Sequence, residues 1–177
     1  DTIDNNLKDK RTWMGYSDES TWARGHARAI YGSAVTFRET GDTSFLELAK
    51  KTAKYYMEHP RLPADLIPYW DFDDPDIPNT PRDASAACIA ASGLLELASL
   101  LPPEEQGKYA DFAIRTLKNL ASDVYRNRPD ENLGFILKHS TGSCSWNLDV
   151  DKPKISADYY FIESLIKLNK LKDTLTY

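Results

Sequence analysis

Only two cysteines occur in 177 residues, too few for a disulfide framework or a cysteine metal cage. Cys88 lies in an Ala-rich run and reads as a small core residue, Cys144 falls in a loop, and a Cys88–Cys144 bridge is left open. A glycine-rich phosphate loop, a nucleophile elbow and metal-spaced His/Cys clusters are missing as well, so no cofactor is called for. Positive charge is in short supply: 22 Lys and Arg stand against 27 Asp and Glu, a net charge of −5. With no basic stripe, that balance argues against a nucleic-acid partner. No apolar run reaches the length of a membrane span, and no signal-type segment opens the chain. The first residues, Asp-Thr-Ile-Asp-Asn-Asn, do not include Met. We expect a processed or truncated beginning, which leaves the cellular location open.

What is present is helix. The chain is 41% hydrophobic and 11% aromatic, a globular composition of a size suited to one domain spanning 1–177. Sustained strand alternation is absent, and helical periodicity marks five segments. Segment 20–39 is rich in Ala and Gly. In 44–58, Phe45, Leu48, Ala49, Thr52, Ala53 and Tyr56 share a face, with Ser44 and Glu47 spaced as a capping box. Segment 81–101 is apolar all round and so expected to be buried all round, with Thr80 as its cap and Asp83 in its first turn. Segment 104–125, entered by Pro103, is one-sided through Ala110, Ala113, Ile114, Leu117, Leu120, Ala121 and Val124. In 157–171, Ala157, Tyr160, Phe161, Leu165 and Leu168 supply the packing face. Buried and amphipathic helices alternate, as in two concentric layers, and the predicted fold class is all-α, built of inner and outer helical hairpins.

The connections are unequal. Those following the inner helices are short, with Gly41 as one helix stop. Those leading into them, 59–80 and 126–156, are long, and long loops tend to carry function. With the stretch 11–22 they are expected to gather at the N-terminal ends of the inner helices, ends that favour anions. Arg24 and Arg28 lie one turn apart at the start of the first helix, a repulsion that calls for a negative partner. Asp18, Glu19, another acid of the fold or a bound anion would each serve. His26 sits about 200° around the helix from Arg24. His26 and His139 are the side chains best suited to move protons near neutral pH, and hydrogen-bonded structural histidines are the simpler reading of both. Trp22, Trp70 and Trp146 offer flat faces for a sugar ring or for the core. Asp71, Asp73, Asp74 and Asp76 fit either an acid pair for glycoside chemistry or calcium ligands, although EF-hand spacing is absent. Asp158 suits a helix first turn.

Five stretches then point to a family. Gly15-Tyr-Ser-Asp-Glu-Ser-Thr-Trp-Ala-Arg-Gly25, Ile67-Pro-Tyr-Trp-Asp-Phe72, Arg82-Asp-Ala-Ser-Ala-Ala-Cys-Ile-Ala-Ala-Ser-Gly-Leu-Leu-Glu96, His139-Ser-Thr-Gly142 and Ala157-Asp-Tyr-Tyr-Phe161 resemble, in order, the C-terminal half of unsaturated glucuronyl hydrolases, glycoside hydrolase family 88. The resemblance implies part of an (α/α)6 barrel, or toroid. It also implies an unsaturated uronyl oligosaccharide as substrate, the 4,5-unsaturated uronic acid left by polysaccharide lyases. In that family an aspartic acid protonates the double bond, water adds, and the hemiketal falls apart. Arg24 matches the family's substrate-contacting arginine, and Trp22, His26, Arg28, Trp70, His139 and Tyr159 complete the candidate binding set. The resemblance also implies that the catalytic aspartates lie in the N-terminal half, so no catalytic residue is assigned in this chain. Met14, His26, Arg28 and Ser156 stand where the family has Gln, Gln, Trp and Tyr. Half a helical ring would expose apolar edges, to be covered by the other half or by self-association.

Overall fold

The computed structural model describes residue 6 and residues 9–174, and the expectations about the very start of the chain concern residues outside these. Five α-helices are present among them: α1 (Ala23–Thr40), α2 (Thr43–Met57), α3 (Ala84–Ser99), α4 (Pro103–Leu120) and α5 (Ile155–Thr174), with one 3-10 turn at Asn132–Gly134. No named strand occurs among the described residues, only isolated bridges between loops.

Helix α3 is central because its sequence allows nothing else: every residue from Ala84 to Ala98 is buried. It packs between α1 and α5 in one row, while α2 backs α1 and α4 backs α3. Small residues set the spacing. A Cβ added to Gly93 would lie 2.8 Å from the Tyr31 amide nitrogen and 2.9 Å from its Cα, so the α1 backbone lies directly on α3. One continuous core runs from Ala23 and Ile30 through Ile89 and Leu94 to Phe161 and Leu171. Helix α3 is buried on every side as expected and α2 and α4 are one-sided, but α1, read as an inner helix, buries only the face bearing Ala23, Arg24, Ala27, Ile30, Ser33 and Ala34.

Helix ends depart from expectation where a competing cap prevails. Residues 20–22 are not helical, because they run alongside the 70–72 stretch, with Ala23 N donating to Trp70 O (3.1 Å) and Phe72 N to Thr21 O (3.0 Å). Helix α2 is capped by the Asp42 carboxylate, which accepts from Ser44 N at 2.9 Å, so Ser44 is a first-turn residue instead of the cap. Helix α3 begins later than predicted, with Asp83 as its cap, accepting from Ser85 N and Oγ. Thr80 instead donates to Asp74. Gly41 stops α1 in the left-handed conformation (φ 71°), its N–H bonded to Phe37 O at 2.8 Å. Helix α4 ends at Leu120, which leaves Ala121 and Val124 exposed. Leu165, expected in the core, is also exposed, on an outward face of α5 that it shares with Ile155, Tyr159, Ile162 and Ile166. Cys88 and Cys144 are both free.

Candidate functional site

The long loops meet at the N-terminal end of the inner row. Trp70 O caps the first amide of α1, and His139 O accepts from Ala84 N at the start of α3 (2.9 Å). At the start of α5, the buried Asp158 carboxylate accepts from Ile136 N (2.9 Å) and Leu137 N (3.0 Å). Three segments, 11–22, 58–83 and 121–154, are thereby stitched to one another. Asp71, fully buried, accepts from Tyr16 N (2.9 Å), Ser20 Oγ (2.8 Å) and Asp73 N (2.9 Å).

Arg24 is the hinge of this rim. It is 4% exposed, its Nε faces Asp83 Oδ2 at 3.3 Å, and its Nη2 donates to the carbonyls of Thr141 and Gly142. The negative partner that the sequence demands is thus an internal carboxylate, Asp83, which in the same position caps α3. Thr141 fastens the loop further, its hydroxyl donating to Arg82 O at 3.0 Å. Arg28, in contrast, is exposed, and no carboxylate pairs with it among the described residues. Trp22 is partly buried, and both guanidinium groups lie over its ring, Arg24 at 5.3 Å and Arg28 at 6.0 Å from the centroid. Its Nε1 is buried with no hydrogen-bond partner among the described residues. Gly25 makes room for the ring, since a Cβ there would meet Trp22 Cε3 at 2.6 Å.

The other candidates divide. Trp70 is 1% exposed, and its Nε1 donates to Asp74, so no ring face is free for a sugar. Burial works to raise the Asp74 pKa, but hydrogen bonds from Thr80, the Asp76 amide and Trp70 prevail and hold it below the ordinary range. Asp71, Asp73 and Asp74 are consumed by backbone amides at 2.8–2.9 Å, Asp71 and Asp74 in local turns with Asp73 N and Asp76 N, and Asp71 and Asp73 also across to Tyr16 N and Thr21 N of the 11–22 stretch. No group of His, Cys, Asp and Glu suited to a metal ion occurs among the described residues. His26 turns away from the rim, its Nε2–H donating to Thr52 O of α2 at 2.8 Å while its ring tilts against Tyr55 and stacks on Tyr56. Burial lowers its pKa, with the Thr52 bond opposing. His139 stays at the rim, half exposed, with Nδ1 2.6 Å from Asp151 Oδ1 and its ring edge-on to Tyr125. Its backbone is left-handed (φ 58°). Tyr159 is exposed on α5 and its hydroxyl donates to Glu163 at 3.2 Å. Glu163 also accepts from Tyr31 and Ser92 and pairs with Lys167, contacts that hold its carboxyl low against the opposing effect of burial.

Sequence reading missed the Arg24–Asp83 pair, because Asp83 is remote along the chain and looks like an ordinary first-turn acid. It also missed the partner of Trp146. The ring of Trp13 stacks on it at 5.4 Å and 24°, and Trp146 Nε1 donates to Trp13 O at 2.7 Å.

These features, inner helices whose N-terminal ends carry a loop-built polar rim and outer helices behind them, define the class: a portion of an (α/α)6 barrel of the glycoside hydrolase type. No family model matches the chain. Individual relatives do. The sequence is 44% identical over 97% of its length to an unsaturated glucuronyl hydrolase of Formosa agariphila, covering 42% of that protein. It is 38% identical over 90% to the enzyme of the same name from Bacillus sp. GL1, again covering 42%. The crystal structure of an unsaturated glucuronyl hydrolase specific for heparin superposes on 98% of the chain with a TM-score of 0.94 at 42% identity, 46% of that structure being covered. In sequence and in fold the chain therefore matches one segment of unsaturated glucuronyl hydrolases, glycoside hydrolase family 88, and it spans less than half the length of the relatives it matches. A mutant of the Streptococcus agalactiae relative was crystallised with dGlcA-GalNAc6S.

Proposed function

We propose that residues 1–177 act as one domain within a hydrolase of terminal unsaturated uronic acids on lyase-generated oligosaccharides. The domain forms part of the substrate cleft, and the acid that protonates the 4,5-double bond belongs to the portion of the barrel it does not span. The observation that carries this reading is the match over 98% of the chain at 42% identity and a TM-score of 0.94. Within it, the exposed Arg28 beside Trp22 supplies charge for the uronate carboxylate, and His139 and Tyr159 supply polar edges. Arg24, engaged with Asp83, positions the Thr141–Gly142 loop, while Trp70 and His26 support the rim from behind. Beyond Tyr159, the exposed Ile162, Leu165 and Ile166 of α5 are the seat of the remaining helices or, in their absence, of a second copy.

Incubating the purified chain with an unsaturated uronyl disaccharide and following the ultraviolet absorbance of the double bond tests the division of labour. Binding without turnover is expected, and turnover by this chain alone would overturn it. Calorimetry with Arg28→Ala tests the carboxylate contact, where a loss of about tenfold in affinity is expected. A second reading, a diverged non-catalytic helical module that binds acidic sugars or a protein partner, is favoured by the departures at Met14, His26, Arg28 and Ser156 from the family pattern. It predicts binding and no turnover even when the rest of a relative's barrel is joined to this chain.

A further inference from the structure

Trp13 and Trp146 are 75% and 60% exposed, although indoles are among the side chains that gain most from burial. They are not loose. Each covers one face of the other in an offset stack at 5.4 Å, and the Trp146 Nε1 bond to Trp13 O locks the two loops together. Ser145 Oγ adds a second link to Gly15 O at 3.4 Å. The turn that carries Trp146 is closed by paired backbone bonds, Ser143 N to Leu148 O (3.0 Å) and Leu148 N to Ser143 O (2.9 Å), with Asn147 left-handed at its tip (φ 47°). Gly142 opens that turn, where a Cβ would come within 2.4 Å of Leu148 O, and the Gly142 carbonyl is held by Arg24. A rigid pair of indoles is thus presented outward from the rim, each with one face bare.

We propose that this pair is a stacking platform for a hexopyranose ring beyond the first two sugars of a bound acidic oligosaccharide. The inference rests on the reading of the rim as an acidic-sugar cleft and extends it outward along the ligand. A flat apolar face with polar edges matches the C–H face and hydroxyl rim of a pyranose. Preorganisation by the stack and the locked turn removes ordering costs that a mobile loop would incur on binding. A peptide or lipid partner would need a wider apolar patch than a single pair of stacked rings.

The test is calorimetry on the chain with an unsaturated uronyl disaccharide and with a tetrasaccharide carrying the same terminal sugar. For Trp13→Ala and Trp146→Ala, the ratio of tetrasaccharide to disaccharide affinity is expected to fall about tenfold, with Trp146→Phe recovering most of it. Circular dichroism confirms that each variant is folded. Should Trp146→Ala fail to fold, Trp13→Ala decides, since its side chain holds no hydrogen bond among the described residues. An unchanged ratio, including equal weakening of both ligands, overturns the platform while leaving the cleft intact. If the unaltered chain binds neither sugar, the cleft reading fails and the platform falls with it.

Discussion

Arg24 and Asp83 form an ion pair removed from water, and such a pair is more costly to break than it is valuable to keep. Asp83→Asn preserves the cap on α3 but leaves Arg24 buried without its counter-charge. A loss of about 3 kcal/mol in unfolding free energy is expected by urea denaturation. Combining it with Arg24→Met should cost clearly less than the sum of the two single changes, because the orphaned charge is then gone. His26 makes a second statement at this scale. Its folded pKa is depressed by burial, so the unfolded chain binds the proton more readily. The stability it contributes is complete above the unfolded value of about 6.5 and is lost as pH falls through the folded value. Burial depresses His59 likewise. The melting temperature should therefore fall between pH 7 and pH 5, and His26→Gln should flatten that slope. The sequence shows that Arg24 needs a negative partner and that His26 suits a hydrogen-bonded structural role, but not that the partners are Asp83 and the Thr52 carbonyl. Trp70 and Trp146 look alike there, and only the tertiary path of their loops makes one core and the other surface.

The five helices were legible because each has a strong period or, in α3, no polar face at all. Their ends were not. Ser44 and Thr80 are good caps by type, yet Asp42 takes the position directly after the left-handed Gly41, and Asp83 takes it because its amide is tied to Pro68 O (2.9 Å), which delays the start of α3. The same dependence on neighbours governs Gly93. In an isolated helix Gly→Ala gains about 1 kcal/mol, but here the new methyl would press on the Tyr31 backbone. Gly93→Ala is expected to lower stability by about 1–3 kcal/mol, read as a reduced urea midpoint, whereas Gly107→Ala, where a Cβ meets nothing within 4 Å, should raise it slightly.

Across the whole molecule, the face of α5 bearing Ile155, Tyr159, Ile162, Leu165 and Ile166 is left to solvent. Sequence periodicity gave α5 a single packing face, whereas part of its apolar surface has no partner among the described residues. The purified chain should self-associate or bind the dye ANS, and Ile162→Lys with Ile166→Lys should abolish both in sedimentation and fluorescence measurements. The Arg24 bonds to Thr141 and Gly142 carry a last consequence, one of timing. The α1–α2 and α3–α4 hairpins close over short loops, but the rim joins residues more than a hundred positions apart. Long closures come late in folding and open first under native conditions. The amides of 140–148 should exchange with deuterium well before those of α3, so the rim loops are the last part of the chain to be assembled and the first to be given up.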